Sequence, residues 1–154
     1  MSNDAPYSIR AAVPADAGDV TELLAELGYP DEVSNVCERL DRLSTRQDTG
    51  VLVAVINETV AGVAAYQLMD LLERSEPQCR ITALVIRADE RRRGLARTLI
   101  MAIESLATAR GCFRLEVTTR PQRPAATGFY QALGFHERPR RLIKPLPDRE
   151  RSST

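Results

Sequence analysis

The stretch that decides the fold runs from Ile81 to Leu106, ITALVIRADERRRGLARTLIMAIESL. It opens with β-branched and aliphatic residues through Ile86, a composition that predicts a strand. It closes with apolar residues at helical spacing, among them Leu95 and Leu99, which predicts a helix. A short basic turn lies between the two. The stretch therefore predicts a strand, a turn and a helix in direct succession.

The basic turn, Arg91 to Gly94, has an unusual charge for its position. A helix N-terminus carries partial positive charge and backbone N–H groups without partners, so three arginines beside it repel it. A bound anion would remove that repulsion, because Gly94 would let the backbone approach it and the free N–H groups of residues 93–97 would point at it. Pyrophosphate is the candidate anion. The alternative is a solvated basic turn, since most charge runs lie at the surface.

Composition limits the class of protein. The chain has 154 residues, 44% of them hydrophobic and 27% charged, which is typical of one soluble globular domain. Its 21 basic residues equal its 21 acidic residues, which argues against bulk nucleic acid or an anionic membrane as the main partner. The sequence has no apolar run of membrane-spanning length and no signal-peptide core, so we expect a cytoplasmic protein. Three scattered cysteines and the single His136 predict no metal site and no Ser-His-Asp triad.

Periodicity and turn residues predict an α/β chain organised as one domain over residues 1–154, with a frayed tail at 147–154. The predicted strands are 7–13, 51–56, 60–69, 79–87, 113–119, 135–137 and 141–145, and the predicted helices are 14–27, one that begins after an N-cap at Asp31, 91–110 and 125–133. The pair 51–56 and 60–69 predicts a hairpin. We expect 113–119 to pair in parallel with 81–86, because a helix crosses over between them.

The basic turn carries a motif of a known family. Arg91-x-x-Gly94-x-Ala96 resembles the Arg/Gln-x-x-Gly-x-Gly/Ala motif with which the GNAT acyltransferases hold the pyrophosphate of acetyl-CoA. The order of predicted elements also resembles the GNAT fold over nearly the whole chain. The resemblance implies an α/β GNAT fold, in which a central mixed, mostly antiparallel sheet contains a parallel splayed pair and has helices on both faces.

A second motif lies at the expected distance after the first. Ala126-x-x-Phe129-Tyr130-x-x-x-Gly134-Phe135 is similar to the late motif of the same family. In that family the matching tyrosine hydroxyl is the general acid that protonates the departing coenzyme A thiolate, and a phenol is a reasonable donor to so strong a base. A purely structural interpretation makes the phenylalanines core residues and Tyr130 an amphipathic surface residue.

The resemblance implies an N-acetyltransferase that moves the acetyl group of acetyl-CoA, without a metal, to a primary amine of a small molecule or peptide by direct attack. The residues that it places at the coenzyme are Leu84, Val85, Ile86, Arg91, Arg92, Arg93, Gly94, Leu95, Ala96, Arg97, Arg123 and Tyr130. Strand backbone near Leu84 and Ile86 would bond the pantetheine arm like an added strand. A backbone N–H at a strand bulge would polarise the thioester carbonyl.

The chain departs from the family pattern at three positions. Arg123 stands where many members carry an asparagine that helps to hold the coenzyme, so it would bind a phosphate or face water. Arg92 replaces a frequent glycine, and Ala88 replaces a frequent proline. The turn is therefore more basic than usual, which is tolerable if the Arg92 side chain points outward.

The resemblance does not assign a general base. Some members carry a glutamate on the strand equivalent to 79–87, where this chain has no acid. Glu116 on the neighbouring strand is the candidate base; its alternative role is that of a structural partner, and a base acting through water, or none, is also open. The acceptor contacts that we expect are Tyr29, Asp70, Glu73 and Thr119. The two acids would suit a cationic amine, whereas Arg120 and Arg123 would suit an acidic substrate.

Two other functions stay open. A GNAT-like regulatory module that binds an acyl-CoA without chemistry would explain the missing strand acid, but Tyr130 opposes it. A nucleic-acid-binding domain built on residues 91–93 is opposed by the zero net charge and by only 5% aromatic residues. The stretch LGYP at 27–30 resembles small bacterial-type GNAT proteins, some of which act on aminoglycosides or other small amines. A homodimer is left open, and neither nucleic acid nor a membrane is an expected partner.

Overall fold

The computed structural model describes residues 6–118, 124–138 and 141–147. It divides the chain into two compact units, residues 1–120 and 121–154. The elements of the first unit are β1 (Tyr7–Ala11), α1 (Ala17–Leu27), α2 (Val33–Thr45), β2 (Thr49–Ile56), β3 (Thr59–Met69), β4 (Gln78–Ile86), α3 (Leu95–Ala109) and β5 (Leu115–Val117). The second unit contains α4 (Pro124–Ala132). The prediction of a single domain over the whole chain stays a prediction.

The strands of the first unit form one sheet in the order β1-β2-β3-β4-β5. The first three neighbouring pairs are antiparallel and the β4–β5 pair is parallel. The predicted hairpin joins β2 to β3 through Asn57 and Glu58, whose φ values of 49° and 64° belong to the left-handed region. Such a turn matches the natural twist of the flanking strands. The predicted parallel pair and the predicted α/β class with a mixed sheet are both confirmed.

Helices cover both faces of this sheet, as the sequence predicts. Helices α1 and α2 contact β2, β3 and β4 and share a core with one face of the sheet, in which Leu23, Val36 and Val53 are almost fully buried. Helix α3 packs across β2, β3 and β4, with Leu99 and Ile103 fully buried. Because Leu99 follows the basic turn by one helical turn, this packing fixes the turn to the sheet.

The β4–β5 pair separates soon after it begins. Its pairs are Cys79 with Leu115, Arg80 with Glu116 and Ile81 with Val117. The next residue, Thr82, is an extra residue in the β4 ladder, since Tyr66 pairs with Ile81 and Ala65 with Ala83. Such a bulge increases the local twist and bends the strand. The predicted parallel partner of β5 is therefore confirmed, and the paired residues end at Ile81 and Val117.

Several predicted helix starts differ from the structure, and α1 begins at Ala17 rather than at residue 14. Helix α3 begins at Leu95 rather than near Arg91, because Arg92 and Gly94 have φ values of 68° and 80°, which no right-handed helix accommodates. The N-cap of α2 is Glu32 rather than Asp31. Asp31 lies one residue outside, where its carboxylate accepts hydrogen bonds from Asn35, Arg39 and the Glu32 N–H, which together lower its pKa to about 2.

The two predicted closing strands are absent from the described residues. Residues 135–138 and 141–147 have no regular structure and pair with no described strand. Alternating apolar residues supply only a propensity, whereas a strand requires a neighbour that satisfies its backbone groups. Leu142 and Ile143 are accordingly 95% and 73% exposed. The predicted frayed tail falls, from residue 148 on, outside the described residues.

Helix α3 offers a test of the packing that holds the basic turn. Leu99→Ala removes a side chain with no exposed surface, and we expect it to lower the free energy of unfolding by about 3 kcal/mol. Met101→Ala, on the same helix but at a side chain that is 51% exposed, is the control and should cost less than about 1 kcal/mol. Urea denaturation of both variants measures the difference. Equal losses would contradict the described packing of α3.

Candidate functional site

The first component of the site is an unpaired edge of β4. From Thr82 to Ile86 one side of the strand pairs with β3, while the other side has no partner strand within residues 6–118. We call this the open edge. At about 3.3 Å per residue its four steps span roughly 13 Å. Leu84, Val85 and Ile86, which the sequence predicts as coenzyme contacts, all lie on it. Unpaired strand backbone of this kind can bind an extended ligand by adding it as a strand.

The second component is the turn that follows the open edge. Gly94 is the N-cap of α3, and the first helical hydrogen bond runs from the Thr98 N–H to the Gly94 carbonyl at 3.0 Å. The N–H groups of Gly94 to Arg97 have no acceptor within the described chain. A Cβ atom built on Gly94 would meet no atom within 4 Å, so the space above the turn is open. Four free N–H groups at the positive end of a helix can bind an anion.

The three arginines of the turn do not act alike. Arg91 donates from Nε to the Ile86 carbonyl at 3.2 Å, and Arg93 donates from Nη1 to Glu90 Oε2 at 2.7 Å. These bonds tie the turn back to the end of β4 and to the segment Ala88–Glu90. The Arg92 side chain is exposed and forms no ion pair with another described residue. An outward-pointing side chain is the condition under which an arginine is tolerable in place of the frequent glycine. Two of the arginines thus hold the turn in shape, a role that their charge alone does not reveal.

Tyr7 is a residue of this site that the sequence analysis missed. Its hydroxyl lies 2.8 Å from Thr98 Oγ1, and Thr98 in turn donates to the Gly94 carbonyl at 2.9 Å. Because the single proton of Thr98 goes to Gly94, Tyr7 is the donor in the first bond. The pair therefore links the edge strand β1 to the turn. Nothing in the sequence signals a contact between residues so far apart along the chain.

Glu116 lies in an ion-pair network between β4 and β5. Arg80 donates from Nε to Glu116 Oε1 at 2.8 Å, and Arg114 Nη2 lies 3.6 Å from the other carboxylate oxygen. Arg114 also donates from Nε to Oε1 of the buried Gln78 at 2.7 Å. Two guanidinium groups thus share one carboxylate. Each oxygen of the carboxylate thus faces one guanidinium group.

Tyr130 lies in the second unit, on α4. Its ring makes edge-on contacts with the rings of Phe129 and Phe135, at centroid distances of 5.2 and 5.5 Å. Burial raises the pKa of the Tyr130 phenol above its usual value. The group is therefore protonated at neutral pH and can serve as a proton donor. The predicted end of the helix at Gly134 is confirmed by its φ of 96°.

Three of the four predicted acceptor contacts are exposed to solvent, and the fourth lies outside the described residues. Tyr29, just after α1, is 54% exposed, and Asp70 and Glu73 are exposed in the connection between β3 and β4. Thr119, Arg120 and Arg123 lie outside the described residues. Within the described ranges no three His, Cys, Asp or Glu side chains are placed to hold a metal ion. The described helices also include none that is long and apolar enough to cross a membrane.

Comparison with known proteins identifies the class of this fold. The model of the Acetyltransferase (GNAT) family matches residues 19–135. A search of curated proteins finds no match. A transcriptional regulator from Bacillus halodurans C-125 has a similar structure, with a TM-score of 0.84 and 21% identity over 92% of this chain and 100% of its own.

Two aminoglycoside acetyltransferases are also structurally similar. Aminoglycoside N-acetyltransferase AAC(6')-Iy, solved in complex with CoA, has a TM-score of 0.82 and 19% identity over 95% of this chain and 98% of its own. The enzyme meta-AAC0020 from an uncultured soil metagenomic sample, solved with sisomicin, has a TM-score of 0.78 and 18% identity over 95% of this chain and 100% of its own. At these identities the similarity shows the fold alone.

The Tyr7–Thr98 contact can be tested against a matched position on the same helix. Thr98 and Thr108 both donate to the carbonyl four residues earlier, but only Thr98 also accepts from a distant tyrosine. We expect Thr98→Val to lower the free energy of unfolding by about 1 kcal/mol more than Thr108→Val. In a Tyr7→Phe background the difference should disappear. A difference that persists there would show that Tyr7 does not hold the turn.

Proposed function

Because the chain belongs to the GNAT family of acetyltransferases, we propose that it transfers an acetyl group from acetyl-CoA to a primary amine of a small molecule or peptide. The observation that carries the proposal is the succession of the open edge of β4 and the turn with free N–H groups. One continuous stretch of chain thus offers a surface for an extended arm and a site for an anion. Acetyl-CoA has both parts in that order, since its extended pantetheine arm leads to its pyrophosphate.

The residues present fit this coenzyme in charge and in space. The N–H groups of Gly94 to Arg97 would hold the pyrophosphate, and the exposed side chains of Arg92 and Arg97 would add positive charge. Leu84, Val85 and Ile86 would hold the pantetheine arm through their backbone groups. Arg123 is the further phosphate contact that we propose. No metal takes part in this proposal.

Acetyl-CoA supplies the acetyl group as an activated thioester. A backbone N–H at the Thr82 bulge would polarise the thioester carbonyl. The amine attacks that carbon, so that a C–N bond forms and the C–S bond breaks. Tyr130 gives its proton to the departing sulfur, and the amine loses a proton to solvent. Positioning and electrostatics carry most of the catalysis.

Glu116 has a structural role in this proposal. Its carboxylate accepts a hydrogen bond from Arg80 at 2.8 Å and forms an ion pair with Arg114 at 3.6 Å. Both oxygens of this carboxylate therefore already contact guanidinium groups of the protein. We assign the removal of the proton of the amine to water.

A small-molecule acceptor is favoured because two structurally similar proteins are aminoglycoside acetyltransferases. Tyr29, Asp70, Glu73 and Thr119 are the acceptor contacts that we propose. The alternative function is a regulatory module that binds an acyl-CoA without turnover. The ion-paired state of Glu116 favours that alternative, because it leaves no free acid on the described part of β4 or β5.

Turnover of acetyl-CoA separates the enzyme from the regulatory module. We expect free thiol to be released from acetyl-CoA in the presence of a panel of amines, and Tyr130→Phe to lower kcat by about 100-fold by removing the proton donor. Tyr66→Phe is the control, because Tyr66 is a partly buried tyrosine of β3 with no role in the proposed chemistry. Binding of acetyl-CoA without thiol release for any amine would favour the regulatory module, and equal rates for the two variants would exclude Tyr130 as the acid.

A further inference from the structure

The ion-pair network of Arg80, Arg114 and Glu116 lies where the open edge of β4 begins. Arg80 pairs with Glu116 in the rung just before the last one, Ile81 with Val117. The bulge at Thr82 follows directly. The turn that would bind the pyrophosphate follows the other end of the edge, after Ile86. An arm bound along the edge from that turn therefore brings its far end, which carries the acetyl group, towards the network.

The network carries one uncompensated positive charge. Arg80 and Arg114 share the single carboxylate of Glu116. No second carboxylate of the described chain lies within 4 Å of either guanidinium. Arg74, which stacks on Phe113 at 3.9 Å, has its own partner in Glu76. The charge of the network is thus not neutralised by the described residues around it.

The two guanidinium groups are held in place and yet accessible. Residues two apart on a strand point to the same side, so Arg114 and Glu116 share one side with Gln78 and Arg80. Gln78, which is 2% exposed, accepts a hydrogen bond from Arg114 Nε and so holds Arg114 in place. Glu116 accepts one from Arg80 Nε and so holds Arg80 in place. The side chains of Arg80 and Arg114 nevertheless remain 32% and 55% exposed. Each keeps N–H groups that can bind a further acceptor.

We propose that Arg80 and Arg114 bind a carboxylate of the acceptor, so that the acceptor is an amine that also carries a carboxylate. This inference rests on the proposed function and names its substrate class. A guanidinium offers paired N–H donors that match the two oxygens of a carboxylate. The same positive charge repels an acceptor with several ammonium groups, which gives selectivity as well as binding.

Conjugates of coenzyme A test the proposal without a known substrate. In each conjugate the sulfur carries a stable acetamide whose nitrogen belongs to the acceptor. Three series end in a carboxylate, a methyl group or an ammonium group, and each is made with linkers of one, two and three methylenes. Calorimetry gives the Kd of each conjugate. We expect the best carboxylate conjugate to bind at least about tenfold more tightly than its methyl and ammonium counterparts.

Matched variants locate the effect. Arg114→Gln, at a side chain that is 55% exposed, should reduce the preference for carboxylate over methyl to about twofold or less. Arg74→Gln is the control and should preserve the preference, since Arg74 is neutralised by Glu76. The ratio of two affinities is insensitive to a general loss of folded protein, which separates recognition from stability.

The outcomes distinguish the two proposals. Equal affinities across the three series, or a preference for ammonium, would overturn the carboxylate site and leave acetyl-CoA binding intact. A carboxylate preference that survives in Arg114→Gln and Arg80→Gln would also overturn it. Failure of every conjugate and of acetyl-CoA itself to bind would overturn the proposed function, and the inference with it.

Discussion

The site depends on the edge of β4 that begins at the extra residue Thr82. The β4–β5 ladder ends at Ile81 and Val117, next to this bulge, and the β4 backbone beyond has no strand partner in the described first unit. Unpaired backbone of this kind must bond to water or to a ligand. The unpaired edge beside the bulge is therefore the part of the sheet that can bind a ligand.

The turn after β4 completes this surface because three separate contacts hold it. Arg91 bonds to the end of β4, Arg93 to Glu90, and Tyr7 reaches Gly94 through Thr98. The positive φ of Arg92 carries a strain that these bonds offset, whereas Gly94 takes its positive φ without strain. The helix can therefore begin abruptly at Leu95, with its free N–H groups in open space. Packing of α3 on the sheet fixes the distance between those groups and the open edge.

Local patterns were sufficient to predict most of the elements. The β2–β3 hairpin, the helix after the basic turn and its end at Gly111 followed from turn residues and periodicity, and Gly111 has a φ of 77°. The α/β class and the parallel pair followed from the order of elements. The true start of α3 could not be predicted from local patterns, because the sequence alone does not show that Arg92 takes a left-handed conformation.

Contacts between distant residues could not be predicted in the same way. The resemblance implies a splayed β4–β5 pair, but the residue at which the pairing ends and the bulge beside it have no signal in the β4 sequence itself. The Tyr7–Thr98 bond and the engagement of Glu116 by two arginines are likewise tertiary contacts. The predicted strands at 135–137 and 141–145 failed for the converse reason, since a local pattern of apolar residues does not supply a partner strand.

Binding of acetyl-CoA, measured by calorimetry, tests the central claim most directly. The wild-type protein should bind with a micromolar Kd. Gly94→Asp should abolish binding, because it places a carboxylate among the N–H groups that would hold the pyrophosphate, while Gly18→Asp, at an open position on α1, should bind as the wild type does. Absence of wild-type binding at millimolar acetyl-CoA, or undiminished binding by Gly94→Asp, would contradict the account.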